Sequence, residues 1–146
     1  MIEIPIEISS YFKSIDFENY PVIKIPQIFQ DSRGDIINIA DGLIGDVALI
    51  TSRKDAVRAN HYHLEDWHLC YLHSGSMLYK WSNSIEKGNY QSLLVEAGSL
   101  IFTPKRTPHR IEFQKESVFI SISKLSRKKM NYDADTIKID ENFLLN

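Results

Sequence analysis

The sequence predicts an all-β domain, a barrel or sandwich of many short strands with a short extension at each end. Three observations predict it. Apolar residues alternate with a two-residue period through the middle of the chain, turn signals interrupt that alternation at close spacing, and long helical periodicity is absent. Strands separated by helices, the mark of an α/β fold, are not seen.

Each element follows from its residues. Residues 1 to about 20 mix Ile, Glu and Tyr without a clean period and read as an N-terminal extension. A strand is expected at 47–50, then another at 67–73. Ser74-Gly75-Ser76 is a turn signal, and with the strand at 77–81 it reads as a hairpin. Glu86-Lys87-Gly88-Asn89 is a second turn. Short strands follow at 93–95, 99–103, 109–113 and 118–123, with Pro104 and Pro108 bracketing a loop. The basic stretch Ser126-Arg127-Lys128-Lys129 ends this body. A C-terminal tail, 126–146, is expected to dock on the barrel or on a second subunit.

Composition narrows the function classes. The 146 residues are enough for one domain, 1–146, with a barrel core of about 30–125. Hydrophobic residues make up 43% and charged residues 25%, the ordinary balance of a soluble protein. A net charge of -2 gives no reason to expect nucleic acid or a membrane surface as partner. The one cysteine, Cys70, excludes an internal disulfide and reads as a buried, inert thiol. The N-terminus MIEIPIEISSYFK has neither a basic nor an unbroken apolar region, so no signal peptide is expected. No run approaches the ~20 apolar residues of a membrane span. The expectation is a cytoplasmic protein.

Chemistry concentrates in the histidines. Of five, three fall within eight positions: His61, His63 and His68. Alternate strand residues share a face, so His61 and His63 point the same way. His68 opens the next strand, where an antiparallel neighbour would set it opposite them, and His109 begins a later strand. Four imidazoles on one face suit one divalent transition metal (Zn, Fe, Ni, Mn or Cu) with water completing the shell. Glu65 and Asp66 are alternative ligands, both in an expected turn. A His-x-His pair alone is weak support for a metal, because a single strand histidine is usually a surface or hydrogen-bonded residue.

Context strengthens it. His61-x-His63-x4-His68-x6-Gly75 resembles the first motif of the cupins, and Gly98, Pro104 and His109 fall at the offsets of the second. The chain is therefore identified as a member of the cupin superfamily, which implies a double-stranded β-helix, or jelly roll. It departs from the motifs at four places: Asp55 and Arg106 stand where glycines are usual, His68 replaces a glutamate ligand, and Phe113 replaces the closing asparagine. Asp31-Ser32-Arg33-Gly34, Arg58-Ala59-Asn60-His61-Tyr62 and Tyr132-Asp133-Ala134-Asp135-Thr136-Ile137 are similar to segments of the cupins that act on nucleotide-linked sugars, the 3,5-epimerases and 3,4-ketoisomerases. That resemblance implies phosphate contact by Arg58 and Arg33, and His61 as base in a metal-free site.

Such chemistry needs a base for an α-proton and an electrophile for the enolate oxygen. A metal replaces the electrophile, and a metal-bound His61 is a poor free base. The base is then one of Tyr71, Tyr79, His73 or Lys124, with no ground for choosing. Trp67, Tyr79 and Trp81 are expected to fill core or interface rather than stack on a ligand. The leading expectation is a metal-containing isomerase or epimerase of a nucleotide-linked keto-sugar for cell-surface polysaccharide. The alternatives are a metal-dependent cupin dioxygenase and a non-catalytic binding protein. Strand-rich ends that would leave edges unprotected predict a homodimer.

Overall fold

A computed structural model describes residues 2–12, 20–25, 28–86 and 89–145. Part of the expected N-terminal extension and the centre of the expected turn at 86–89 lie outside the described residues.

Among the described residues there are twelve strands: β1 (Val22–Ile23), β2 (Ile28–Asp31), β3 (Gly34–Ile37), β4 (Asp46–Ser52), β5 (Val57–His63), β6 (His68–Ser74), β7 (Ser76–Trp81), β8 (Gln91–Glu96), β9 (Leu100–Thr103), β10 (His109–Phe113), β11 (Ser117–Ser123) and β12 (Thr136–Lys138). A short helix, α1 (Ser9–Phe12), lies near the N-terminus, and α2 (Lys129–Asp135) precedes β12. Two five-stranded antiparallel sheets form a jelly roll, in the orders β1-β9-β6-β11-β4 and β12-β5-β10-β7-β8. β2 and β3 make a separate hairpin.

Alternation along the strands explains the layers. In β6, Cys70 and Leu72 face the second sheet, where they meet Met77 and Tyr79 of β7 and Ile111 and Phe113 of β10. The opposite parity, Leu69, joins Leu100, Phe102 and Ile122 on the outer face of the first sheet. Ile8 of the N-terminal extension covers that outer face and is fully buried. Its burial contributes roughly 2 kcal/mol. β9 is thus buried on both faces, which is why Leu100, Ile101 and Phe102 follow one another without alternation.

The expected hairpin at 67–81 is corrected. β6 belongs to the first sheet and β7 to the second, so Gly75 turns a corner between sheets instead of joining paired strands. Gly75 has a φ of 95°, and a Cβ there would collide with Ser117 Oγ and the Glu116 carbonyl. The turn signal was sound, but a turn residue does not say which strand the chain pairs with next.

Two further backbone features position the site. β5 carries a bulge at Ala59 and Asn60, with φ of 64° and 60°. Its effect is visible in the register: His61 pairs with His109, whereas Arg58 pairs with Ile111. His61 and Arg58, three residues apart, therefore both point inward. Asp55 and Arg106, which replace the usual motif glycines, keep left-handed φ values of 68° and 57°. The turns survive with side chains at positions that favour glycine.

The tail docks on its own barrel. β12 extends the second sheet through Thr136↔His63, Ile137↔Tyr62 and Lys138↔His61. Phe143 and Leu144 are buried beyond it.

Candidate functional site

β5 and β10 bring His61, His63 and His109 to the inner surface of the second sheet. His68 does not arrive from a strand neighbour, as expected, but from the facing sheet. The expected single face of four imidazoles is therefore three on one sheet and one opposite. Ring centroids lie 4.6 Å apart for His61–His63, 4.9 Å for His61–His109 and 4.5 Å for His63–His68. The ligating atoms form two overlapping triads that share His63. One is His61, His63 and His109; the other is His63, Asp66 and His68; within each, the atoms lie within 4.8 Å of one another.

Hydrogen bonds choose the nitrogen each ring offers. His63 Nδ1 shares a hydrogen bond with Thr136 Oγ1 at 3.4 Å and lies 3.2 Å from Asp135 Oδ2, a contact without hydrogen-bond geometry whose negative charge favours the proton on Nδ1. Its Nε2 is buried without a hydrogen-bond partner among the described residues. His109 Nδ1–H donates to the Thr107 carbonyl at 2.9 Å, which also frees Nε2. His68 Nε2–H donates to Asp66 Oδ2 at 3.0 Å. Asp66 Oδ1 in turn accepts the amides of Lys124 and Leu125.

Burial holds three of the rings neutral. It lowers His61 to about 2, helped by repulsion from His109, His68 and Arg127. Burial lowers His63 further still, with the same neighbours contributing. His109 falls to about 4, again by burial, against the pull of the Thr107 carbonyl. A neutral imidazole with a free lone pair is the form that ligates a metal. The orphaned His63 Nε2 and the nitrogen donor set fit a divalent transition ion.

His61, His68 and His109, but not His63, open on a cavity of about 120 Å³. His61, His68, His109, Arg58, Tyr79 and Cys70 line it, together with Arg127 and Tyr132. Tyr79 OH shares a hydrogen bond with Thr103 Oγ1 at 2.8 Å, and burial pushes its pKa well up. Burial also pushes the Cys70 thiol up to about 12, which leaves it inert. Arg58 spans the boundary with the outside. Its Nε donates to Ser52 Oγ at 2.7 Å and its Nη2 to the Thr51 carbonyl at 2.9 Å. It also borders an outer groove of about 800 Å³ that shares His61 and Tyr132 with the cavity.

Four expected site residues lie elsewhere. Tyr71 has the outward parity of β6 and packs against the outer cluster. His73 has that parity too and is exposed. Lys124 Nζ pairs with Glu7 at 3.1 Å. Arg33 is exposed in the β2–β3 hairpin and pairs with Asp31. Trp67 and Trp81 are core residues, Trp81 stacking on Tyr79 at 5.5 Å.

Three residues at the site, Arg127, Tyr132 and Asp135, were given no role from the sequence, and Asp66 was expected only as an alternative ligand. Arg127, in the basic break, donates from Nη2 to Ser121 Oγ at 2.8 Å. Its Nε lies 3.4 Å from Asp46 Oδ1, an ion pair without hydrogen-bond geometry. Tyr132 presents its ring edge-on to His61 and His63, with centroids 6.2 and 6.0 Å away. Asp66 and Asp135 are the buried carboxylates behind His68 and His63. The only sequence signal for Tyr132 and Asp135 was the tail fragment that carries both.

No family model matches this sequence, and no curated protein matches it. Solved structures do match. A dTDP-4-dehydrorhamnose 3,5-epimerase from Sulfolobus tokodaii superposes with a TM-score of 0.69 at 18% identity, over 89% of this chain and 84% of that one. A 3,4-ketoisomerase from Helicobacter canadensis gives 0.65 at 17% identity, over 82% and 90%. The fold is a cupin. A TDP-quinovose 3,4-ketoisomerase from Campylobacter jejuni, also 0.65 at 17% identity over 82% and 93%, is a third neighbour in fold. Among the described residues, no helix is long and apolar enough to cross a membrane.

Proposed function

We propose that this cupin holds a divalent transition metal and isomerises or epimerises a nucleotide-linked keto-sugar for cell-surface polysaccharide biosynthesis. The observation that carries the reading is one cavity that combines neutral, inward-facing imidazoles with a lone pair to spare and a fixed guanidinium, Arg127. Enolisation of a ketone needs such positive charge at the developing oxyanion, together with a base for the α-proton. The nucleotide-sugar enzymes among its structural neighbours support the substrate class.

His61, His63 and His109 hold the metal, with His68 beside them, and the ion supplies a Lewis acid for the substrate carbonyl. Arg127 places its charge in the same cavity and stabilises enediolate character. Tyr79, with its pKa raised, keeps its proton and acts as a hydrogen-bonding wall rather than a base. Tyr132, at the junction of cavity and groove, is the group left to move the α-proton. In a metal-free protein His61 would be the base, but a pKa near 2 is far from the ideal near operating pH, so burial makes it ineffective.

Size apportions the ligand. The inner cavity of about 120 Å³ admits only the reacting part of a sugar, and the outer groove of about 800 Å³ takes the nucleotide. Arg58 stands between them to meet a phosphate. We further propose a cytoplasmic homodimer, because β4 is an open sheet edge that exposes Val47 and Leu49. A monomer by light scattering would refute that part.

The small cavity and all-nitrogen triad also favour a second reading, a dioxygenase that holds a compact chelating substrate beside O₂. The test is elemental analysis of the untagged protein, followed by thermal shift with TDP and oxygen uptake with a diketone. Stoichiometric metal with a TDP-induced shift supports the isomerase. Iron or copper with oxygen uptake and no TDP response favours the dioxygenase. A chelating ligand recovered unchanged from either assay points to a non-catalytic binder.

A further inference from the structure

We infer that metal binding at the histidine cluster and docking of the C-terminal tail form one linked equilibrium, joined by Asp135, so that metal loading completes the substrate pocket. This rests on the metal reading above.

The tail has little stability of its own. α2 spans seven residues, its N-cap Lys128 makes no side-chain capping bond, and Met130 on it is 82% exposed. A helix that short does not persist alone in water. It is held by the three-residue ladder of β12 on β5, by the burial of Phe143 and Leu144, and by Asp135.

Asp135 is the anchor that touches the site. Its Oδ1 accepts the amide of Glu65 at 2.7 Å. Its Oδ2 accepts the amide of Asp66 at 3.3 Å and sets its negative charge 3.2 Å from His63 Nδ1. Its backbone carbonyl accepts the amide of Leu64 at 2.9 Å. One tail residue thus satisfies three successive amides of the β5–β6 turn and places a carboxylate against Nδ1 of His63.

The coupling runs through that imidazole. A cation at Nε2 draws electron density from the ring and makes Nδ1–H more positive beside the Asp135 carboxylate, 3.2 Å away. In the other direction, the carboxylate makes Nε2 a better ligand. Carboxylates in this position typically alter metal affinity 10–100-fold, and linkage requires that the metal favour tail docking by the same factor. The consequence reaches the substrate. Tyr132 belongs to α2 and Arg127 lies just before it, and both line the cavity. Without a docked tail, the cavity loses Tyr132 and the seat of Arg127 is loosened.

The test uses hydrogen exchange of the full chain with and without Zn²⁺, together with Zn²⁺ affinity by chelator competition. In the wild type, Zn²⁺ should raise protection at the amides of 64–66 and 136–139 by about 10–100-fold. Asp135→Asn should weaken Zn²⁺ binding by a similar factor and abolish that gain. Leu144→Ala loosens the far end of the tail without altering any ligand. It too should weaken Zn²⁺ binding, and Zn²⁺ should restore protection to its tail. Wild-type affinity in both variants, with tail protection indifferent to Zn²⁺, would overturn the inference and leave the metal reading standing. A wild type that takes up no Zn²⁺ would overturn the metal reading first, and this inference with it.

Discussion

The two ends of the barrel interior are made by the same strands and have opposite chemistry. Along β10 the inward residues run His109, Ile111, Phe113; along β6 they run His68, Cys70, Leu72; along antiparallel β11 they run Ser123, Ser121, Phe119. At one end Phe113 stacks on Phe119 at 5.7 Å within a closed apolar cluster. At the other end imidazoles are crowded, stripped of water and left with a lone pair unpaired. Burying polar rings at such density costs stability that apolar packing must offset. The apolar end holds the fold, and the polar end is kept for a ligand.

That division predicts separable defects. The largest expected effect on stability is at the apolar end: Phe113→Ala should cost about 3–5 kcal/mol by chemical denaturation, while the folded fraction still takes up metal. His63→Ala should do the reverse. It should lower metal affinity by more than about 100-fold, beyond the effect of a supporting residue, and leave the denaturation midpoint of the metal-free protein close to wild type. Equal damage to both properties by either variant would erase the distinction between the two ends.

Acid should act on the polar end alone. The lowered values of His61, His63 and His109 mean that the unfolded chain binds protons first as pH falls. Stability is therefore full above pH 6.5, the ordinary histidine value, and is lost on acidification. Each of the three imidazoles contributes a loss of up to ~1.4 kcal/mol per pH unit. The contribution of His109 ends near pH 4, where the folded form takes its proton. Denaturation of metal-free protein between pH 7 and 4 checks this, and a flat profile would contradict it.

The smallest effect sharpens the comparison through the backbone. Ala59 holds a left-handed φ of 64° in the bulge that aims both Arg58 and His61 inward. Ala59→Gly should relieve about 1 kcal/mol of strain, raising Tm by a few degrees. Metal content should not change.

Strand content, the inward histidines and the sheet-rich body were legible because alternation and ligand spacing are local properties. The turn at Gly75 was legible as a turn, but its role as a corner was not, because pairing partners are chosen by long-range registers such as Phe119↔Leu72 and Tyr79↔Ile111. Tyr71 and His73 looked as eligible as Tyr79. Only the placement of β6, with its outer face against Leu69 and Ile8, sends that parity away from the cavity. Asp66 was legible only as an alternative ligand, and Arg127 and Asp135 are remote or unremarkable in sequence; their importance comes from contacts with His68, Ser121 and His63.

By itself, then, the sequence determined an all-β body of many short strands, a cluster of histidines with strand spacing, and motif residues whose resemblance to the cupins implied the jelly roll and a phosphate contact at Arg58. Each of these depends on periodicity and residue type over a few positions. Tertiary structure alone decided that His68 comes from the opposite sheet, that a bulge points Arg58 and His61 the same way, and that Asp135 at the end of α2 selects the free nitrogen of His63. Those outcomes depend on which distant segments the closing of two sheets brings within hydrogen-bonding distance, and no local pattern encodes that distance.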